Sequence, residues 1–199
     1  EDTMVDISEE CWRMEGSRMF IKEGTEVSIS ELLKGVIIQS GNDASCALAE
    51  KIAGSQSAFA DLMNSYAEQL GLDNTNFVNP TGLPDINHYS TANDIAKLSI
   101  RLIEDFPDNY ALFKEKEYTF NNIRQLKRNS LLWQDDSIDG IKTGHTNDSG
   151  YCLVASAKRD EMRLIAVTLN SASEKTRLQD SRRLLDYGFR FFKTKKLFR

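Results

Sequence analysis

SIDGIKTGH, residues 137–145, and YCLVASAKRDEMRLIAVTL, residues 151–169, together decide the fold. In the second stretch Tyr151, Leu153 and Ala155 alternate with their neighbours at the period of a strand, and the apolar pattern resumes after a polar break at Arg159-Asp160. This predicts a hairpin, with SIDGIKTGH lying beside it as a third strand. Working outward, Tyr118 and Phe120 alternate in the same way beyond Glu117, and a last helix is expected from about Ser173 to Phe192.

Upstream, the period lengthens to that of a helix. S28-I-S-E31 fits a capping box, and Ile29, Leu32, Leu33, Val36 and Ile37 fall on one face, predicting a helix from Ser28 to near Gln39. Ser40 and Gly41 break it, after which Asn42 or Asp43 can cap a second helix (ASCALAEKIA) that stops at Gly54. A third runs from Ser57 to Leu70, with Gly71 as its left-handed C-terminal cap. Residues 72–89 hold Asn79-Pro80, Thr81-Gly82 and Pro84-Asp85 and read as a loop, and Thr91 and Asp94 open a helix that ends before Pro107. Helices first and a hairpin-rich sheet later give an α+β class, helices packed on an antiparallel sheet.

The 199 residues carry 25 basic and 30 acidic groups, a formal charge of −5, which argues against a nonspecific nucleic-acid binder held by its summed field. No apolar run reaches the length of a membrane span, and the acidic start EDTMVDISEE is unlike an export signal. The basic, aromatic end FRFFKTKKLFR reads as a helix closing into a linker rather than as a membrane-surface segment. Cys11, Cys46 and Cys152 cannot all pair. Cys46 and Cys152 sit among small apolar residues and read as buried small hydrophobes. His88 and His145 lie far apart, so neither a metal nor a cofactor is expected.

Two constellations bear on chemistry: Ser40-Gly41-Asn42 between two helices, and Lys142-Thr143-Gly144-His145 in a strand. Singly each is an ordinary turn or cap. In this order they are the second and third elements of the signature S-x-x-K, S-x-N, K-T-G shared by penicillin-binding proteins and class A β-lactamases. The stretches IIQSGNDASCALAE, SQSAFADLMNSYAEQLGL, RQLKRNSLLW, DGIKTGHT, GYCLVASA and RRLLDYGFRFF, spanning about Met19 to Phe192, closely resemble the low-molecular-mass penicillin-binding proteins that act as D-alanyl-D-alanine carboxypeptidases, most of all the subgroup of penicillin-binding proteins five and six. The resemblance implies a penicillin-binding protein/β-lactamase-like transpeptidase fold, incomplete in this chain. Residues 1–192 are then part of a single catalytic domain, helical over about 28–115 and with sheet and C-terminal helix over about 117–192. Residues 193–199 begin a linker to an absent C-terminal domain.

One departure is as informative as the match. No serine in the chain is followed by a lysine three positions on, so the nucleophile and its lysine are not among these residues. By resemblance, Ser40 passes a proton towards the departing amine with Lys142 supplying the nearby cation, and Asn42 meets a substrate peptide bond. The same resemblance implies that Thr143 binds the free carboxylate of the substrate, that Gly144 lets an extended peptide lie along the strand, that the backbone N–H of His145 is an oxyanion donor, and that Arg177 reads the terminal carboxylate. The bland alternatives are a helix cap for Asn42 and a solvated helix arginine for Arg177. The implied partners are the pentapeptide stem of peptidoglycan, β-lactams as covalent inhibitors of the complete enzyme, and a missing N-terminal segment carrying S-x-x-K. No nucleic acid is implied. The implied location is the periplasm, with the inner-membrane surface reached only through an absent C-terminal anchor. Two rivals stand beside this reading: a non-catalytic peptidoglycan-binding relative, and a class A β-lactamase-like hydrolase whose E-x-x-L-N glutamate is imitated by Glu117–Asn121, a stretch with the pattern of a strand.

Overall fold

A computed structural model describes residues 3–195, and the chain forms two compact units, with boundaries inside the helix that precedes Pro107, after Lys114 and after Arg128. The first unit takes residues up to Asp94 together with Glu115–Arg128. It opens with β1 (Met4–Asp6) and α1 (Glu9–Trp12), and β1 pairs antiparallel with β2 (Glu26–Ser28). The expected helix from Ser28 is shorter than its pattern. Ser28 caps it as predicted, accepting the Glu31 N–H, but α2 covers only Ile29–Lys34, and Gly35–Gln39 continue as one wider π turn. That turn accommodates a residue more than an α turn does, and it delivers the chain to Ser40 in a left-handed conformation.

Next come α3 (Asn42–Ala53) and α4 (Gln56–Gln69), starting two residues and one residue before their predicted starts, with Ser55 capping α4 and Gly71 at φ +65° just after it. Gly71 is where the chain turns back on itself after the helix, a conformation a side chain would strain. A hairpin of β3 (Glu117–Phe120) and β4 (Ile123–Leu126) completes the unit. Val5, Ile7, Met19, Ile21, Val27, Leu32, Ala47 and Phe120 form its core. Cys11 and Cys46 are also part of that core, and they are joined by a disulfide, so Cys46 is a cross-link between α1 and α3 and not the inert small hydrophobe expected. The periodicity of ASCALA is the same for a buried thiol and a buried disulfide, which is why the pattern could not distinguish them.

The second unit holds most of α5 (Ala92–Asp105), opened by Thr91 accepting the Asp94 N–H, then α6 (Pro107–Tyr110), β5 (Ile138–Thr146), β6 (Gly150–Arg159), β7 (Met162–Ser171) and α7 (Glu174–Phe191). The predicted three-stranded antiparallel sheet is present in the order β5-β6-β7, with its tight turn at Asp160–Glu161, one residue beyond the expected break. Ser173 caps α7, which lays Leu185 against Leu153, Ala155, Ala157 and Ala166 of the sheet. Small residues along β6 let the helix approach closely. Leu153 is fully buried here, so Leu153→Ala is expected to cost about 2–5 kcal/mol. Urea unfolding followed by circular dichroism measures this, and a loss under about 1 kcal/mol would mean the layer is not packed as described. Among the described residues no helix is long and apolar enough to cross a membrane. Of the basic tail, residues 196–199 lie outside the described residues, and α7 ends at Phe191.

Candidate active site

In the first unit, Ser40 follows the π turn at φ +64°, a conformation that costs a non-glycine residue about 1–2 kcal/mol and persists only when its surroundings hold it. They do so on both sides. Gly41 donates its N–H to the Gly35 carbonyl at 3.0 Å, and Asn42 donates its backbone N–H to the Ser17 carbonyl at 2.7 Å. Asn42 is the first residue of α3, and its side chain is not a cap: Gly41 occupies the N-cap position, and the Asn42 Nδ2 donates to the Glu15 carbonyl at 2.6 Å. Asp43, the other expected cap, accepts from the N–H groups of Met19, Phe20 and Ile21 at 2.9, 2.9 and 3.3 Å. A helix-start carboxylate is ordinarily spent on its own first turn. Here both Asn42 and Asp43 are buried and fasten the segment 15–21 across the start of α3. Gln125 adds a bond to the Met19 carbonyl, and Arg128 one to the Ser17 hydroxyl. Ser40 is thus presented from a rigid corner.

The second unit carries the K-T-G element on β5, which pairs with β6 on one side and lies at the edge of its sheet. An edge strand leaves alternate backbone groups facing outward, so an extended peptide can add along it. Lys142 pairs with Val154, Thr143 with Leu153, Gly144 with Cys152 and His145 with Tyr151. The Lys142 Nζ donates to the Thr143 carbonyl at 2.9 Å. The imidazole of His145 lies over the Tyr151 ring, 3.9 Å between centroids, with the residue itself exposed at the end of the strand. Cys152, opposite Gly144, is half-buried and unpaired, a partial departure from the buried residue expected.

Arg177 departs from its bland reading. It is not a solvated helix arginine: only 3% of its surface is exposed. Nη1 donates to the Gly144 carbonyl at 3.3 Å, Nη2 to Glu174 Oε1 at 2.6 Å, and the guanidinium stands over the Tyr151 ring. Its Nε is buried without a partner. An amphipathic pattern could not reveal this, because the charged head is covered by a strand from elsewhere in the chain. The second unit therefore brings together Lys142, Thr143, Gly144, His145 and Arg177, as the first brings together Ser40 and Asn42.

Chemically, one element offers a hydroxyl and an amide at a helix start, and the other a cation, a hydroxyl and backbone donors along a strand edge. Residues 1–173 match the peptidase S11 family of D-alanyl-D-alanine carboxypeptidases. The chain belongs to this family. It is 50% identical over 198 residues to the D-alanyl-D-alanine carboxypeptidase DacC of Escherichia coli K12, covering 96% of this chain and 50% of that protein. Its structure is similar to that of penicillin-binding protein 5 from Haemophilus influenzae, with a TM-score of 0.91 at 46% identity over 94% of this chain and 56% of that one. It is also similar to penicillin-binding protein 6B from Escherichia coli, with a TM-score of 0.94 at 41% identity over 100% of this chain and 64% of that one. The expected family and its fold class are borne out. The chain spans about half the length of the curated relatives it matches.

For an S11 peptidase chain, the features that motif reading missed are the supports of the motifs: the grip of Asn42 and Asp43 on residues 15–21, and the disulfide behind them. A conspicuous signal for the first was available, since two polar residues in a row precede the wholly apolar face of α3. Nothing local signalled the second. Among the described residues one grouping places three potential metal-ligand atoms within 4.8 Å of one another, Cys11, Cys46 and Glu50, but its two sulfurs are bonded to each other and offer no thiolate to an ion.

Proposed function

We propose that this chain supplies the S-G-N and K-T-G elements of a serine-type D-alanyl-D-alanine carboxypeptidase that removes the terminal D-alanine from peptidoglycan pentapeptide stems. Residues 1–192 belong to one catalytic domain. The observation that carries the reading is the K-T-G sequence on a sheet edge, with its glycine carbonyl gripped from behind by Arg177. An extended stem peptide lies along β5 opposite Gly144, where a side chain would hold it off. Thr143 takes the terminal carboxylate, and the Arg177 charge beneath Gly144 favours that anion. The His145 N–H stabilises the oxyanion of the tetrahedral intermediate.

The attacking serine belongs to an S-x-x-K element that none of the 199 residues provides. Its oxygen forms an ester to the penultimate D-alanine as the bond to the terminal one breaks. Ser40 hands a proton to the departing amine, Lys142 supplies the positive charge that such a relay needs, and water later cleaves the ester. Asn42 serves the substrate amide through its Oδ1, its Nδ2 being held by the Glu15 carbonyl. Penicillin acylates the same serine. The Cys11–Cys46 disulfide fits an oxidising compartment, which supports a periplasmic location.

A second reading is a non-catalytic binder of the same stems. Fluorescent penicillin separates the two. The full-length protein takes one label per molecule if it is the enzyme and stays dark if it is only a binder. These 199 residues by themselves take no covalent label, and stoichiometric acylation of them would overturn the assignment of the nucleophile elsewhere.

A further inference from the structure

β5 changes phase at one residue. Ile138 pairs with Ala157 while Gly140 pairs with Ser156, so Asp139 is an extra residue set against a single step of β6. Such a bulge inverts the alternation of every side chain beyond it. Ile138 lies in the core layer with Ala157, Ala155 and Leu153, and Ile141, paired with Ala155, is buried too. Two isoleucines three positions apart thus share one face. Lys142, paired with Val154, falls on the other. In a regular strand continuing from Ile138, residues 140, 142 and 144 would follow it onto the core side. The Lys142 ammonium would then be driven into the apolar layer that α7 covers, a placement a lone charge does not tolerate.

Polar groups from two other elements hold this extra residue, and a third steadies one of them. Arg163 of β7 grips Asp139 with both arms, Nη1 to Oδ1 at 2.8 Å and Nη2 to Oδ2 at 2.7 Å. Nη1 also donates to the hydroxyl of Ser156 on β6 at 2.6 Å, and the Tyr110 hydroxyl of α6 donates to Asp139 Oδ1 at 3.0 Å. Ser156 and Tyr110 are buried. A Cβ on Gly140 would stand 2.5 Å from the Tyr110 hydroxyl, so glycine alone follows the bulge with Tyr110 in place. The hydrogen bond to Asp139 holds the Arg163 guanidinium charged above its ordinary range, and burial pushes the Tyr110 hydroxyl up, keeping it a donor. A bidentate arginine fork fixes direction as well as distance, which a strand irregularity otherwise lacks.

We propose that Arg163, Asp139 and Tyr110 are positioning residues for the K-T-G element: they pin the bulge that decides which face of β5 carries Lys142. The consequence for catalysis rests on the carboxypeptidase reading; the consequence for the strand does not. The test uses the full-length protein with two readouts, the rate of acylation by fluorescent penicillin and the NMR signal of the Lys142 side-chain ammonium. Arg163→Met and Asp139→Asn are expected to lower the rate by about tenfold or more, since a misplacement of 1 Å can cost a hundredfold, and to move the Lys142 signal. Arg163→Lys, which keeps the charge but not the fork, falls between. Leu185→Val, a cavity in the same core that removes none of the hydrogen bonds to Asp139, is the stability control and is expected to leave both readouts unchanged. Tyr110→Phe removes a single hydroxyl and carries the same readouts, with a change of about threefold, should Arg163→Met fail to fold. The proposal is overturned if Arg163→Met and Leu185→Val behave alike at equal stability, or if the Lys142 signal stays at its wild-type position. A wild-type protein that takes no penicillin refutes the carboxypeptidase reading instead, and the Lys142 signal then decides the positioning claim alone.

Discussion

Lys142→Ala in the full-length protein is expected to slow acylation by fluorescent penicillin by about 10²–10⁴-fold, the range general acid–base assistance supplies. Lys142 is held on the face of β5 away from the α7 layer, with its Nζ donating to the Thr143 carbonyl, so its charge is carried by a rigid edge and not by a free stem. A proton relay through a hydroxyl needs such a fixed charge, because a neutral hydroxyl is a poor acid and a poor base at pH 7. Lys142→Arg is expected to recover only part of the rate. The guanidinium is a wide planar fork and cannot occupy the place of a compact ammonium. Stability is not the route, since the residue is half-buried at a sheet edge, where substitutions usually change stability by about 0.5 kcal/mol or less. Single-turnover labelling gives the rate and a thermal melt gives the control. A rate within about threefold of wild type would remove Lys142 from the mechanism.

Replacing Cys11 and Cys46 together by alanine is expected to lower stability by about 4 kcal/mol, and to do so in the first unit. The cross-link spans a sequence separation of 35. Closing a loop of that size removes about 13 cal/mol/K of entropy from the unfolded chain in the chain-entropy model, hence the figure at 25 °C. Alanine is the proper replacement, because both positions are fully buried and serine would add a hydroxyl in an apolar core. Urea unfolding should show a lower midpoint together with a steeper slope, since the unfolded chain becomes free to expand. Thiol titration in denaturant gives the supporting number: one free thiol, that of Cys152, before reduction and three after. Three thiols before reduction, or equal midpoints for wild type and the double variant, would exclude the cross-link. Its loss also bears on the site, because α3 carries Asn42 and Asp43 at one end and Cys46 one turn later.

The first-unit site shows how motif and support divide. Ser40-Gly41-Asn42 was legible as a break between two helices, and the helices are there. That Asn42 points at the Glu15 carbonyl instead of capping its helix was not legible, because a cap and a tether use the same amide and differ only in what stands opposite. In the second unit, the strand pattern placed Lys142 and Thr143 on β5 correctly, yet the same pattern counted without interruption puts Lys142 on the wrong face. A single charged residue inside SIDGI was the visible trace of the bulge. Its meaning depends on Arg163, 24 positions later.

By itself the amino-acid sequence determined the α+β class, the helix starts at Ser28, Thr91 and Ser173, the three antiparallel strands and the family. All of these are written in residues no more than about four apart, or in contiguous motifs, so short-range sterics and hydrogen bonding suffice to specify them. Only the tertiary structure decided that Cys11 meets Cys46, that Arg177 is buried beneath Gly144, and that Arg163 anchors the phase of β5. Those pairings join residues 24 to 35 positions apart, and their energy is gained only after the intervening chain has been ordered, so no local pattern carries their signature.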